Sequence, residues 1–334
     1  MNAVPRIRVS LLATPQSLMS TLSGLLEMLE ICRHLMEEEL FPFSVEVVAR
    51  KPQLQVGLMG IPIAAHRTLR EARDPDVVIV SSLMFEGDSW TPGRFPEEVR
   101  WLSAMYDRGT ILCSTCSGAL LLAEAGLLNG QETTSHWNLQ RAFRELFPEV
   151  VLRLDRELVI SKDERLIMSG AATAWYELAL YLIARFGGPA TARSLAKFMM
   201  VQWHAEGQTP YLPFDEPMGH GDRAVLESQH WLRDHWRDPN PVEGMIARSL
   251  LSPRNFARRF RKATGHAPLA YVQKLRIERA KQMIESTPHA IDEISAEVGY
   301  EDASFFRRIF KRTVGLKPAD YRRRFSLQRS VAVA

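Results

Sequence analysis

Residues 251–271 read LSPRNFARRFRKATGHAPLAY, and fifty positions later residues 301–321 read EDASFFRRIFKRTVGLKPADY. The two align without a gap: Phe256 with Phe306, Arg258 with Arg308, Phe260 with Phe310, Gly265 with Gly315, Pro268 with Pro318 and Tyr271 with Tyr321. Self-similarity of this kind marks one supersecondary unit used twice. Each copy follows a short helical pattern, PVEGMIARSLL (241–251) or AIDEISAEVGY (290–300). Asn240 with Glu243 has capping-box spacing, Pro241 suits a first helical position, and Ser252 and Asp302 are capping residues for the helices that follow. Gly299 supplies a tight turn. The pattern predicts helix, turn, helix, given twice. Phenylalanines at i and i+4 place an aromatic stripe on the buried face of each second helix.

The opposite faces carry the chemistry. A recognition helix enters the major groove by its N-terminal part, where arginines grip guanine and short polar side chains reach other base edges. Arg254, Asn255, Ala257 and Arg258 occupy those places in the first copy, and Ala303, Ser304, Arg307 and Arg308 in the second. Arg261 and Lys262, then Lys311 and Arg312, suit phosphates. Between the copies, YVQKLRIERAKQMIES (271–286) has helical periodicity, with Leu275, Ile277, Ala280 and Ile284 among its apolar positions. A rigid helix there would set the modules on successive major grooves, about 34 Å apart. Charge agrees: residues 220–334 hold 22 Lys and Arg against 13 Asp and Glu, whereas residues 1–219 hold 20 against 26. A segment at net +9 joined to one at −6 points to a polyanion partner for the basic part, nucleic acid before membrane.

Residues 225–325, including GYEDASFFRRIFKRTVGLKPADYRRRF (299–325), resemble the DNA-binding domain of AraC/XylS-type transcription regulators. The resemblance implies two helix-turn-helix units joined by a long helix. It also implies an asymmetric site near a promoter on double-stranded DNA, usually activation, and contact with RNA polymerase. One departure stands out: the first unit has RSLLSPR (248–254) where a glycine turn is the norm.

Toward the N-terminus the pattern changes. IRVSLLA (7–13), FSVEVVAR (43–50), PDVVIVSS (75–82) and TILCS (110–114) read as strands. Helical patterns lie between and after them, at 17–39, near PEEVRWLSAMYDRG (96–109), and at SGALLLAEAGLL (117–128), ended by Asn129 and Gly130. SLAKFMMVQW (194–203) reads as a further helix. Alternating strands and helices imply an α/β fold with a mostly parallel, flavodoxin-like sheet covered on both faces. The fold class is therefore α/β followed by an all-α domain with two helix-turn-helix motifs. Ligands of such sheets bind outside the carboxyl ends of the strands.

ILCSTCSGA (111–119) ends at such a place. Cys113 lies in the strand and is expected to pack, while Cys116 sits at the turn, is expected to be exposed, and lies near helix N–H groups that favour thiolate. A thioredoxin-like pair needs both thiols at the helix start, so the redox reading is disfavoured. The turn resembles the nucleophile elbow of the ThiJ/PfpI and class I glutamine amidotransferase-like superfamily. AEAGLLNGQETTSHW (123–137) strengthens the likeness to the amidotransferase-like domain of GlxA-type regulators within the AraC family. That resemblance makes His136 the partner of Cys116. It implies a homodimeric sensor whose pocket includes Cys116, Ser117, Gly118, His136 and Trp137 and takes a small effector, amino-acid-like or an amine.

Catalysis needs thiolate, imidazole and a group that orients the imidazole. Amidotransferases carry a late His-x-Glu, where SGAATAWYELAL (169–180) has no histidine. Many ThiJ/PfpI enzymes place a glutamate early, where this chain has TPQSLMST (14–21). Cys116 and His136 are therefore read as vestigial. The reading is a DNA-binding regulator and not an enzyme, with a Cys-dependent hydrolase or lyase as the alternative. The lone histidines lack metal-ligand spacing, and neither metal nor cofactor is expected. Three cysteines in 334 residues suit a reducing compartment. The chain shows no signal-peptide pattern or membrane-length apolar run, so a cytoplasmic location without membrane contact is expected. The expected layout is 1–204 sensing and dimerising, 205–222 linker, 223–326 DNA-binding (helix-turn-helix units about 241–263 and 290–313, connecting helix about 268–286), and 327–334 a flexible tail.

Overall fold

The computed structural model describes residues 6–36, 41–85, 90–202 and 207–326. The expected tail, Trp203 and residues 37–39 of the first expected helix lie outside the described residues. The chain divides into two compact units, Met1–Gln208 and Thr209–Ala334.

In the first unit the elements run β1 (Ile7–Ala13), α1 (Met19–His34), β2 (Phe43–Ala49), β3 (Gln53–Val56), β4 (Ile61–Ala64), β5 (Arg67–Thr68), β6 (Val77–Val80), α2 (Pro96–Asp107), β7 (Ile111–Thr115) and α3 (Ala119–Glu124). There follow β8 (Glu132–Thr133), α4 (Gln140–Leu146), β9 (Val151–Leu152), β10 (Leu158–Ile160), β11 (Leu166–Ser169), α5 (Trp175–Gly187) and α6 (Pro189–Phe198). Seven strands form one sheet in the order β10-β11-β7-β6-β1-β2-β5. Every pairing in it is parallel except β10 with β11.

The apolar runs are continuous because both faces are covered. Alternate residues of β1 and β6 divide between two cores: Leu12, Val78 and Val80 pack with α2, α3 and α4, whereas Val9, Leu11, Val77 and Ile79 pack with α1, α5 and α6. Chain order reverses direction across the sheet between β1 and β6, and β7 lies beside β6, so its carboxyl end opens near the switch.

Three expected helices are shorter or displaced: the one expected over 17–39 runs only Met19–His34. The helix expected to reach Asn129 ends at Glu124, because Gly126 takes a left-handed φ of +74° and its N–H closes onto Ala123 O at 2.9 Å. The helix expected at 194–203 begins earlier, with Pro189 in its first turn, and stops at Phe198. The hairpin of β3 and β4 projects with Leu58 and Met59 exposed at its tip.

The second unit is helical: α7 (Arg223–His235), α8 (Pro241–Ser249), α9 (Pro253–Thr264), α10 (Pro268–Ser286), α11 (Ile291–Glu297), α12 (Ala303–Val314) and α13 (Pro318–Phe325). Phe256, Phe260, Phe306 and Phe310 are fully buried, as are Ala280 and Ile284 on α10. The glycine-free first turn closes through Leu250, which adopts a left-handed φ of +55° and remains almost wholly exposed. Asp302 caps α12 by accepting from Ser304 N–H at 2.7 Å. Asn240 and Ser252 make no side-chain cap; at Asn240 only the main-chain carbonyl accepts from α8. Glu293 caps the start of α11 instead, accepting from Ala290 N–H at 2.8 Å. No helix of the described residues is long and apolar enough to cross a membrane.

Candidate functional site

β7 delivers the chain into one 3-10 turn, Cys116–Gly118, from which α3 departs. Cys116 carries the reversal, at φ +51° in the left-handed region that non-glycine residues avoid. Gly118 has ordinary helical backbone, so it is needed for space: a Cβ there would lie 2.6 Å from Val80 O and 2.8 Å from Ser81 O. Ser117 Oγ accepts from Leu83 N–H at 2.7 Å and donates to Leu83 O at 2.6 Å, pinning the turn to the segment after β6. Ser135 Oγ donates to Cys116 O at 2.7 Å, which joins the SHW segment to the elbow.

Cys116 is not the exposed thiol that the sequence suggested. It is 6% exposed, and burial pushes its pKa up to about 11, against the Ser117 N–H and the Ser117 and Ser82 hydroxyls, which favour thiolate. The Glu157 carboxylate acts in the same direction as burial. The short 3-10 turn gives the thiol too little helix N-terminus to offset desolvation. Cys113 is fully buried in the core shared with α1 and α5, and burial raises its thiol as well.

His136 is half-buried, and burial holds its imidazole below the ordinary histidine range, opposed by its bond to Asn138. Its Nδ1 lies 2.7 Å from Asn138 Oδ1, and the Trp137 ring packs on it at 5.2 Å between centroids. Ser117 and Gly118 are buried with the elbow, while Trp137 is half-buried at its rim. Trp175 fills the space above Gly24 in the α1 and α5 core.

Three residues here escape sequence reading. Asn138 orients His136. Glu157 is buried, and its Oε1 accepts from Ala171 N–H at 2.9 Å. Gln208, in the stretch read as linker, is 1% exposed, and its Nε2 donates to Ser135 O at 2.9 Å and to Thr134 Oγ1 at 3.2 Å. Glu157 and Gln208 come from distant parts of the chain with no local motif to announce them.

The second site is a basic helical face. On α9, Arg254, Ala257, Arg258 and Arg261 are exposed and Asn255 half-buried; on α12, Ser304, Arg307, Arg308 and Lys311 are exposed and Ala303 half-buried. Asn255 Oδ1 accepts from Arg258 Nη2 at 2.8 Å, which holds the guanidinium out from the helix. Arg308 lies over the Phe305 ring, 5.6 Å from its centroid. Arg307 is ion-paired with Asp292 of α11. Arg259, on the same helix as Arg258, donates to both Asp222 oxygens at 2.7 and 2.9 Å and holds that carboxyl below the usual range. Arg259 is therefore part of the scaffold.

The chain therefore has two parts, an α/β unit with a closed elbow and a helical unit that presents two basic helices. Residues 25–185 match the DJ-1/PfpI family, and residues 246–324 match a helix-turn-helix domain family. The chain thus carries a stretch similar to DJ-1/PfpI domains, followed by one similar to helix-turn-helix domains. Among its relatives is the HTH-type transcriptional regulator GbdR of Pseudomonas aeruginosa, 26% identical over 227 residues, covering 68% of this chain and 61% of GbdR. This chain thus spans less than two thirds of that relative's length. Another is the HTH-type transcriptional regulator CdhR of the same organism, 28% identical over 228 residues, 68% of this chain and 67% of CdhR. The crystal structure of an AraC family transcriptional regulator from Pseudomonas putida superposes with a TM-score of 0.50 at 19% identity, over 58% of this chain and all of that one. That likeness is one of fold.

Proposed function

We propose that this chain is a sequence-specific DNA-binding transcription regulator, an activator that responds to a small metabolite. In this reading the first unit, expected over 1–204 and reaching Gln208, senses the effector and holds two copies together; the second, in which part of the expected linker 205–222 packs ahead of the expected DNA-binding residues 223–326, binds promoter DNA and contacts RNA polymerase. The observation that carries it is the doubled helix: α9 and α12 each bury a phenylalanine pair and expose arginines on the opposite face. The uncharged, exposed tip of the β3–β4 hairpin supports a homodimer. Purified protein should shift its own upstream region in a mobility assay. Arg258→Ala or Arg308→Ala should weaken that complex by about 1–3 kcal/mol and relax preference at one base position. Uniform loss over all sequences, with a shallower salt dependence, would assign the residue to a phosphate.

A second reading, a Cys-dependent hydrolase or lyase, draws on the left-handed Cys116 and the oriented His136. Chemistry disfavours it, because burial raises the Cys116 thiol to about 11 and lowers the His136 imidazole, which leaves both groups neutral at pH 7. Iodoacetamide at pH 7.5 should leave Cys116 unmodified in folded protein and label it after urea. Labelling should rise about tenfold per pH unit towards pH 11 while the fold persists. Stoichiometric labelling at neutral pH would restore the enzymatic reading.

A further inference from the structure

The polar end of the elbow region is already filled, and by the chain itself. Gln208 is the last residue of the first unit. Its amide orientation is fixed by chemistry: Ser135 O can only accept, and Thr134 Oγ1 donates to Arg156 O at 2.8 Å, so both must receive N–H from Nε2. Two glycines make room for it. A Cβ on Gly170 would lie 2.3 Å from Nε2, and a Cβ on Gly207 would lie 2.2 Å from Asp155 O. Gly207 also has a φ of +58°, which turns the chain inward.

The fit is incomplete. Gln208 Oε1 is buried without a hydrogen-bond partner, so the site satisfies donors and strands the acceptor. Both groups that the carboxamide reaches, Ser135 O and Thr134 Oγ1, are acceptors, and the buried, negatively charged Glu157 is anchored next to Gly170, its main-chain carbonyl accepting from Gly170 N–H and its Oε1 from Ala171 N–H. A group with N–H donors and no acceptor would serve Ser135 O and Thr134 Oγ1 as the carboxamide does without burying an unpaired acceptor, and a positive charge on it would suit the nearby Glu157 carboxylate.

We propose that Gln208 is a tethered occupant of the effector subsite, and that the free effector presents a primary ammonium group that replaces its carboxamide on Ser135 O and Thr134 Oγ1. Displacement would free the chain entering Thr209, the first residue of the second unit. The signal then travels through the covalent connection, and its strength is the difference in effector affinity between the occupied and vacated states. The inference rests on the reading of the first unit as a sensor.

The test uses the full chain and methylammonium chloride as probe, with tetramethylammonium chloride, which lacks N–H, and sodium acetate as controls. In Gln208→Ala the subsite is vacated, and methylammonium should raise the melting temperature in a saturable way while neither control does. Wild type should need at least tenfold more probe for the same shift, because its tethered amide competes at high effective concentration. Gln208→Glu keeps the side chain's size but sets a carboxylate against two acceptors, so it should vacate the subsite too and show the same response should the alanine variant fold poorly. Equal shifts by both cations, or no methylammonium response in either folded variant, would overturn the proposal. Mobility shifts on the same samples separate the two claims: a methylammonium response without any DNA complex rejects the regulator while keeping the subsite.

Discussion

Replacing Arg276 with methionine is expected to cost the second unit about 3–5 kcal/mol. Arg276 lies on α10 and is 8% exposed. Its Nε donates to Trp236 O at 2.7 Å, Nη2 to Asp238 O at 2.7 Å, and Nη1 to Gly299 O at 2.9 Å, while the guanidinium lies 5.4 Å from the centre of the Tyr300 ring. Trp236 and Asp238 lead from α7 into the first helix-turn-helix, and Gly299 is the turn of the second. One fork therefore ties both modules to the connecting helix. Gly299 is fitted to it, since a Cβ there would lie 2.9 Å from Nη2. Methionine fills the stem's volume but leaves three carbonyls without donors. Lysine should recover only part of the loss, because one ammonium cannot match the planar fork. Calorimetry of the full chain should show the second-unit transition falling and the first-unit transition fixed. Mobility shifts at temperatures where Arg276→Lys remains folded should show a larger loss of affinity, relative to wild type, on a two-groove site than on half of it. An unchanged second-unit transition in Arg276→Met would refute the assignment.

That residue also shows where sequence reading stops. The helix-turn-helix pair was legible because each unit is local and the pattern occurs twice, so the phenylalanine spacing and the α10 boundaries came through. Arg276 did not, because its partners are main-chain carbonyls 38 and 40 residues before it and 23 after it. On a helical wheel it is one more charged side chain in KLRIERA. Capping failed for a related reason: spacing shows that Asn240 could cap α8, but only the approach angle of the chain decides whether its side chain does.

In the first unit, β1, β2, β6 and β7 were legible as apolar runs, since strands covered on both faces lose their alternation. The short strands β8 to β11 have two to four residues each, and a run of that length carries no period. The elbow was legible as a turn, but its exposure was not. Part of what packs on the elbow comes from elsewhere in the chain: Ser135, from the loop after β8, bonds Cys116 O, and Gln208, from a stretch whose glycines and prolines suggest linker, bonds Ser135 O. Burial is a long-range property, and with it goes the sign of the thiol's pKa shift.

Gly118→Val should lower the stability of the first unit by about 3 kcal/mol or more. The left-handed residue of the turn is Cys116, and Gly118 could be any residue on backbone grounds. What excludes a side chain is the pair of main-chain oxygens at 2.6 and 2.8 Å from its would-be Cβ, on Val80 and Ser81. Main chain in a central strand cannot swing aside as a side-chain tip can, so the added atoms must push α3 away from β6. That movement would also strain the Ser117 clamp on Leu83. Gly93→Ala is the control: its φ is +82° with nothing within 4 Å of a Cβ, so it carries backbone strain alone, about 1–2 kcal/mol. Calorimetry should place the Gly118→Val first-unit transition about 6–12 °C below wild type, the drop expected for a unit of this size. The second-unit transition should stay in place, because the two units have separate cores. If Gly93→Ala proved the more damaging, close approach would not be what holds glycine at position 118.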